Sequence, residues 1–151
     1  MNIYDDNLLV NKKMRLWVQI SPGSNEPIYL QIAAQISEAI AKGELAAGDQ
    51  LPTVRKLAGE LVINPNTVAR AYNVLEGQGL IVSKIGAGTF VTDPKHRDKD
   101  ASRLHILAER MDNVIIQALN LGLNQQTITE LFHTRLTNLV SYTDSGKQKN
   151  E

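Results

Sequence analysis

Polar side chains recur at helical spacing in the segment from Asn64 to Asn73. Asn66, Arg70 and Asn73 are separated by three or four residues, so they would lie on one side of a helix. Thr67 extends this set, and no acid stands within the segment. Amide, hydroxyl and guanidinium groups both position and recognise nucleic acid through hydrogen bonds. Short polar side chains with one arginine suit a helix whose N-terminal end enters the major groove of duplex DNA.

The other side of the same segment is apolar, which predicts a helix packed on a core. Its apolar residues occupy positions i, i+3, i+4 and i+7, namely Val68, Ala71, Tyr72 and Leu75. Asn64 can cap this helix, and Pro65 suits the first helical position, where a missing N–H has no partner to lose. Of Gly77 and Gly79, the second is the better candidate for a left-handed C-cap.

A shorter helix is predicted immediately before this one. Thr53 can cap it, and Pro52 prevents its extension backwards. Its apolar side consists of Val54, Leu57, Ala58 and Leu61. Only Val62 and Ile63 separate the two helices, which predicts a helix-turn-helix.

A β-hairpin is predicted after the second helix. Two β-rich runs, residues 80–84 and 89–92, flank the sequence Ile85-Gly86-Ala87-Gly88. Glycine permits close approach of the backbone to a ligand. We therefore predict a wing whose tip can contact a phosphate.

Three motifs in this order resemble one family. They are the stretch from Gly43 to Ala58, the sequence Asn64-Pro65-Asn66-Thr67-Val68, and the sequence Gly86-Ala87-Gly88-Thr89-Phe90-Val91. Together they resemble the GntR family of bacterial transcription regulators. The second motif, the trailing Arg70-Ala71-Tyr72 and the short C-terminal segment are similar to its YtrA subfamily. Two positions depart from the family pattern: Lys56 replaces a capping-box acid, and Ala69 stands where many members have arginine.

The resemblance implies a winged helix-turn-helix DNA-binding domain over residues 16–93. It also implies contacts with DNA backbone or bases at Arg55, Asn66, Thr67, Arg70 and Gly86. With the neighbouring polar and basic residues, the predicted DNA-binding set is Arg55, Lys56, Asn64, Asn66, Thr67, Arg70, Asn73, Lys84 and Gly86.

The net charge of the whole chain does not favour DNA binding. The chain has 16 basic and 16 acidic residues, hence no overall positive field. The basic side chains of Arg55, Lys56, Arg70 and Lys84 must therefore gather locally on the DNA face. A neutral chain also predicts weak non-specific binding and dependence on a dimer for affinity.

The C-terminal part predicts a helical dimerisation segment over residues 102–141, after a charged linker at residues 94–101. Apolar residues alternate at spacings of three and four, as in a coiled coil. A second helix beginning at Asn124 or Gln125 adds another apolar stripe. Two helices cannot bury this much apolar surface, so we predict a homodimer. The predicted interface residues are Leu104, Leu107, Met111, Val114, Ala118, Leu121 and Phe132.

The remaining segments carry weaker patterns. Residues 1–15 lack periodicity and predict a flexible N-terminal extension, and residues 142–151 predict a flexible polar tail. Residues 16–20, which include Trp17, form a short strand candidate. Pro27 and Gly43 bound a first helix whose apolar stripe is Ile28, Ile32, Ile36 and Ile40. The predicted fold is mainly α with a small β wing.

The chain carries no pattern typical of catalysis or metal binding. Cysteine is absent, and His96, His105 and His133 have no metal-binding spacing. We predict no enzymatic activity, no cofactor and no metal. A signal peptide and a membrane-spanning run are also lacking, which predicts a cytoplasmic protein without a membrane partner.

Two classes of function remain from the sequence. The first is a dimeric, sequence-specific transcriptional regulator that binds double-stranded operator DNA with two-fold related half-sites. The resemblance further implies a repressor of a transporter-type operon, with no pattern that identifies a small-molecule effector. The alternative is a protein-interaction adaptor that uses the winged-helix surface. DNA binding requires Arg55, Arg70 and Gly86 to be exposed on one face, whereas an adaptor favours apolar side chains there.

Overall fold

The computed structural model describes residues 18–97 and 101–147. Contacts divide the chain into two compact units, one ending at Arg97 and the other continuing to the C-terminus. In chain order the first unit contains α1 (Ile28–Ala41), β1 (Gln50–Leu51), α2 (Val54–Leu61), α3 (Pro65–Gly77), β2 (Ile81–Lys84), β3 (Gly88–Val91) and a 3-10 turn (Pro94–His96). The second unit contains α4 (Ala101–Asn120) and α5 (Gln125–Lys147). The predicted fold, mainly α with a small β wing, is confirmed.

The core of the first unit lies among α1, α2 and α3. Helix α3 packs against both α1 and α2, as the helix-turn-helix prediction requires. The largest side chains that are fully enclosed come from all three helices, and they are Ile32, Ile36, Leu57, Val68 and Leu75. Leu45 and Leu51 are buried in the same cluster, so the loop between α1 and α2 is tied to the core.

The ends of α2 and α3 are formed by the predicted caps. The Thr53 hydroxyl accepts a hydrogen bond from the Lys56 N–H at 3.2 Å, and the Asn64 side-chain oxygen accepts one from the Asn66 N–H at 2.9 Å. At the end of α3 the Gly79 N–H donates to the Glu76 carbonyl. Gly79 has a φ of +73°, which glycine adopts without steric cost.

The wing belongs to a three-stranded antiparallel sheet with the order β1-β3-β2. The predicted hairpin pairs Val82 with Phe90. The third strand, β1, was not predicted, and it pairs Gln50 with Phe90 from the other side. A strand of two residues shows no alternation, so the sequence pattern indicated only a loop there.

The strand predicted at residues 16–20 is wrong in its described part, because Val18 to Ile20 form no strand. Side-chain amides of α1 take the place of a partner strand. The Gln35 amide accepts from the Gln19 N–H and donates to the Gln19 carbonyl, both at 2.8 Å. Gln31 binds both backbone groups of Ser21 in the same way. Trp17 and the predicted extension at residues 1–15 lie outside the described residues.

The second unit consists of two helices with exposed apolar side chains. The Asn124 side chain accepts a hydrogen bond from the Thr127 N–H at 2.9 Å and caps α5 at the predicted position. Helix α5 continues to Lys147, beyond the predicted start of the polar tail at residue 142. Helices α4 and α5 make few contacts with each other. Across residues 18–97 and 101–147, no helix is both long and apolar enough to cross a membrane.

Val62, in the turn between α2 and α3, has a backbone conformation that is unfavourable for its residue type. Its φ and ψ are +56° and +50°, in the left-handed region, and its side chain is 88% exposed. The Ile63 N–H donates to the Ala58 carbonyl at 3.0 Å, which closes the same type of helix end that follows α1, α3 and α4. Those three ends have glycine at the left-handed position, namely Gly43, Gly79 and Gly122.

We therefore expect Val62→Gly to stabilise the first unit. A non-glycine residue in the left-handed region costs about 1–2 kcal/mol, of which the entropy of glycine in the unfolded chain offsets part. The expected gain in the free energy of unfolding is about 1 kcal/mol, measured by urea denaturation. Val62→Ala is the control, because it removes the branched side chain and keeps Cβ. If the glycine variant is no more stable than the alanine variant, the turn is not strained.

Candidate nucleic-acid interface

The exposed face of α3 carries the polar residues that the sequence predicted. Asn66, Arg70 and Asn73 are exposed, and Thr67 is half-buried. The opposite face is fully buried through Val68, Ala71 and Leu75. The core therefore holds α3 as a rigid support, and its hydrogen-bonding side chains face outward.

The first turn of α2 adds two exposed basic residues, Arg55 and Lys56. The capping bond of Thr53 uses the backbone N–H of Lys56, so the ammonium group takes no part in the cap. Asn64 is also exposed, but its side-chain oxygen is already used to cap α3. Its remaining donors are the two N–H groups of the amide.

Buried Tyr72 holds α3 against the start of α2. Its hydroxyl donates a hydrogen bond of 2.6 Å to the Pro52 carbonyl. Burial raises the pKa of Tyr72 well above its usual value, and the nearby carboxylate of Glu60 raises that pKa further. The hydroxyl therefore stays protonated near neutral pH and remains a donor, so the hydrogen bond joins α3 to the segment that precedes α2.

The wing ends in a tight turn with basic character. The Ala87 N–H donates to the Lys84 carbonyl at 3.0 Å, and Gly86 at the third position has a φ of +75°, as in a type II turn. The Lys84 ammonium lies 5.1 Å from the centroid of the Phe90 ring, within range of a cation–π attraction. Lys84 and Gly86 are both exposed.

Gln50 supports this turn, and the sequence analysis missed it. Its side-chain amide donates to the Ala87 carbonyl at 3.2 Å. A Cβ atom at Gly88 would lie 2.5 Å from the Gln50 amide nitrogen, so only glycine leaves room for this contact. The contact between Gln50 and the wing turn depends on the short strand β1, which no sequence pattern predicted.

We expect Gly86→Asp to weaken binding to every DNA duplex alike. It places a carboxylate where the wing would approach a phosphate, at a cost of about 1 kcal/mol or more. Gly86→Asn is the matched control, because asparagine has the same size, tolerates positive φ as well as aspartate does, and adds no charge. Fluorescence anisotropy with labelled duplexes measures both. If both variants bind as tightly as the native chain, the wing tip lies outside the interface.

Arg70 has a partner that the sequence did not indicate. Its guanidinium carbon lies 3.9 Å from the centroid of the Tyr29 ring. Tyr29 belongs to the first turn of α1 and is half-buried at the edge of the core. A contact between two helices far apart in the chain leaves no periodic signal in either of them.

The acidic side chain of Glu76, on α3, is engaged by the wing. The Glu76 carboxylate accepts from the Ser83 N–H at 3.2 Å and thereby joins α3 to β2. Within the described residues, no group of three or more His, Cys, Asp or Glu side chains is arranged to hold a metal ion. The arrangement offers hydrogen-bond donors, acceptors and positive charge on helices whose opposite faces are buried in the core.

Comparison with known proteins identifies the family. Residues 28–91 match the family described as bacterial regulatory proteins, gntR family. The transcriptional repressor YtrA of Bacillus subtilis is 36% identical over 113 residues, which cover 75% of this chain and 87% of that protein. The chain belongs to the GntR family. All nine predicted DNA-contact residues lie within the segment that matches the family.

Solved structures support the same GntR assignment. A transcriptional antiterminator from Listeria monocytogenes EGD-e has a TM-score of 0.74 and 30% identity, over 81% of this chain and 91% of that one. YtrA from Sulfolobus acidocaldarius, a GntR-family transcription factor, has a TM-score of 0.52 and 40% identity, over 63% of this chain and 96% of that one. The predicted resemblance to the YtrA subfamily is confirmed.

Proposed function

We propose that this GntR-family protein is a sequence-specific DNA-binding transcriptional regulator that acts as a repressor. The observation that carries the proposal is the exposed face of α3, where Asn66, Arg70 and Asn73 stand on a helix whose other face is fully buried. The similar Bacillus subtilis protein is named a transcriptional repressor, which supports the same direction of control. On the YtrA resemblance we extend the proposal to control of a transporter-type operon by a cytoplasmic protein.

Each part of the first unit has a role in this proposal. Helix α3 enters the major groove and presents amides and a guanidinium to base edges. Arg55 and Lys56, at the start of α2, bind phosphates and set the register. Lys84 and Gly86 bring the wing to the flanking backbone.

The second unit supports a homodimer. Large apolar side chains remain substantially exposed on both of its helices, for example Leu107 at 54%, Val114 at 65% and Phe132 at 54%. Large apolar side chains that are exposed in such number mark an interaction site. A second copy offers the same stripe, and an isologous pair is the commonest assembly. The two α3 helices of such a dimer would contact two related half-sites.

The adaptor alternative gains no support from the exposed surface. Within residues 18–97, the large apolar side chains that are exposed are Val62 in the turn between α2 and α3, Val82 on β2 and Ile85 in the wing turn, and none of them lies on α3. Protein interfaces depend on clustered apolar or aromatic anchors. The exposed face of α3 offers polar side chains instead.

Selection of duplexes from a random pool by the purified full chain tests the proposal. We expect enriched sequences with two related half-sites whose centres lie about one helical turn, or a multiple of it, apart. A variant with both Asn66→Ala and Arg70→Ala serves as the control and should enrich no motif. Recovery of no motif by the native chain, or of a single asymmetric half-site at full affinity, would contradict the proposal. Mapping the motif to promoters then identifies the regulated genes.

A further inference from the structure

The contact between Arg70 and Tyr29 has no role in the DNA-binding function proposed above. Arg70 lies on the exposed face of α3, within one turn of both Asn66 and Asn73. Its guanidinium carbon lies 3.9 Å from the centroid of the Tyr29 ring, well inside the distance at which a cation is attracted to an aromatic face. The ring therefore holds a side chain that would otherwise sample many conformations.

A stacked guanidinium keeps its capacity to form hydrogen bonds. The group is planar, and its N–H donors lie in that plane, whereas the attraction to the ring acts through its face. Contact with Tyr29 thus occupies one face of Arg70 and leaves the donors available. Arg70 is also exposed, so those donors are accessible to a partner.

The folded protein sets the position of the Tyr29 ring, which does not depend on a bound partner. Tyr29 is half-buried and packs against the hydrophobic core together with Ile28. Helix α1, which carries it, packs extensively against α3. The plane on which Arg70 rests is therefore set by the folded core before DNA binds.

We propose that Tyr29 is a positioning residue that fixes the guanidinium plane of Arg70 for paired hydrogen bonds to the edge of a guanine. The inference rests on the proposed function. Bidentate recognition of guanine O6 and N7 requires a defined guanidinium plane, unlike attraction to a phosphate, which tolerates many orientations. Tyr29 acts through Arg70 and need not touch DNA itself.

Three substitutions distinguish the contribution of the Tyr29 ring from those of its hydroxyl group and of its packing against the core. Tyr29→Phe keeps the aromatic face, Tyr29→Leu keeps apolar bulk without it, and Arg70→Ala removes the group that is positioned. We expect Tyr29→Leu to lower affinity for the selected duplex about threefold to thirtyfold, with much less effect on a scrambled duplex. Tyr29→Phe should stay within about twofold of the native chain, because the stack remains.

A double-mutant cycle shows whether Tyr29 acts through Arg70. In a chain that already carries Arg70→Ala, Tyr29→Leu should cause no further loss of affinity for the selected duplex. Any general destabilisation by leucine would appear in both backgrounds and therefore cancels in the cycle. An equal loss in both backgrounds, an equal loss on scrambled DNA, or a Phe variant as weak as the Leu variant would overturn the inference.

A measurement without DNA separates this inference from the proposed function. In NMR spectra of the free protein, the Arg70 side-chain protons should show a ring-current shift that persists in Tyr29→Phe and disappears in Tyr29→Leu. Absence of that shift in the native chain overturns the positioning role, whatever DNA binds. Failure of the native chain to select any duplex, with the shift present, overturns the proposed function together with the role of Tyr29 in it.

Discussion

Replacing Met111 and Ala118 with aspartate is expected to convert the protein from a dimer to a monomer. Met111 is 40% exposed in the single chain and Ala118 is half-buried, and both lie on the predicted interface of α4. Dimerisation would bury each introduced carboxylate without a partner, at a cost of several kcal/mol per charge. Two-fold symmetry doubles the number of buried charges. Sedimentation velocity over a range of protein concentrations measures the result.

Asn113→Asp is the matched control for this experiment. Asn113 lies two residues from Met111, roughly 200° around the helix, and is exposed. It adds one negative charge to the same helix, half as many as the double variant, but outside the predicted interface, so the dimer should persist. A stable dimer of the Met111 and Ala118 variant would show that the interface lies elsewhere. Affinity for a two-half-site operator should fall in parallel with dissociation.

Arg55→Ala and Arg70→Ala are expected to impair DNA binding in different ways. Arg55 lies in the first turn of α2 and should bind a phosphate. Its loss should lower affinity for all duplexes and reduce the slope of log affinity against log salt by about one unit. Arg70→Ala should cost about 1–3 kcal/mol on the preferred site and much less on random DNA.

Lysine substitutions supply the controls for these two positions. Arg55→Lys keeps the charge that a phosphate contact requires, so its salt slope should stay near the native value. Arg70→Lys keeps the charge but loses the planar fork, so its specificity should fall almost as far as in Arg70→Ala. Titrations at several salt concentrations, on selected and scrambled DNA, measure all four variants. If Arg70→Ala lowers both affinities equally, Arg70 is a phosphate contact and Asn66, Thr67 and Asn73 must recognise the sequence.

Local signals made much of the first unit predictable. Capping by Thr53 and Asn64 and the apolar stripes behind them depend on neighbours within one or two helical turns. The hairpin was predictable for the same reason. Strand β1 was not, because its two residues are defined only by their pairing with β3. The strand expected at residues 16–20 failed because the Gln35 side chain of α1 binds the backbone of Gln19, a contact without sequence periodicity.

The candidate site likewise contains residues that the sequence predicts and residues that it does not. The exposure of Asn66, Arg70 and Asn73 follows from helical periodicity, which assigns one face to the core and the other to solvent. The side chains that support those residues could not be predicted from helical periodicity. Tyr29 beneath Arg70, and Gln50 behind the wing turn, come from elements that are distant in the chain. Tertiary packing alone brings them to the site.

The sparse contact between α4 and α5 has a consequence for thermal unfolding. The first unit has a core of its own, whereas none of the side chains described in residues 101–141 is buried within one chain. The C-terminal helices of a dimer would then owe their stability to association, and mass action makes that stability depend on protein concentration. Calorimetry should resolve two heat-absorption peaks. The first should shift upward on concentrating the sample, and the second should stay at constant temperature.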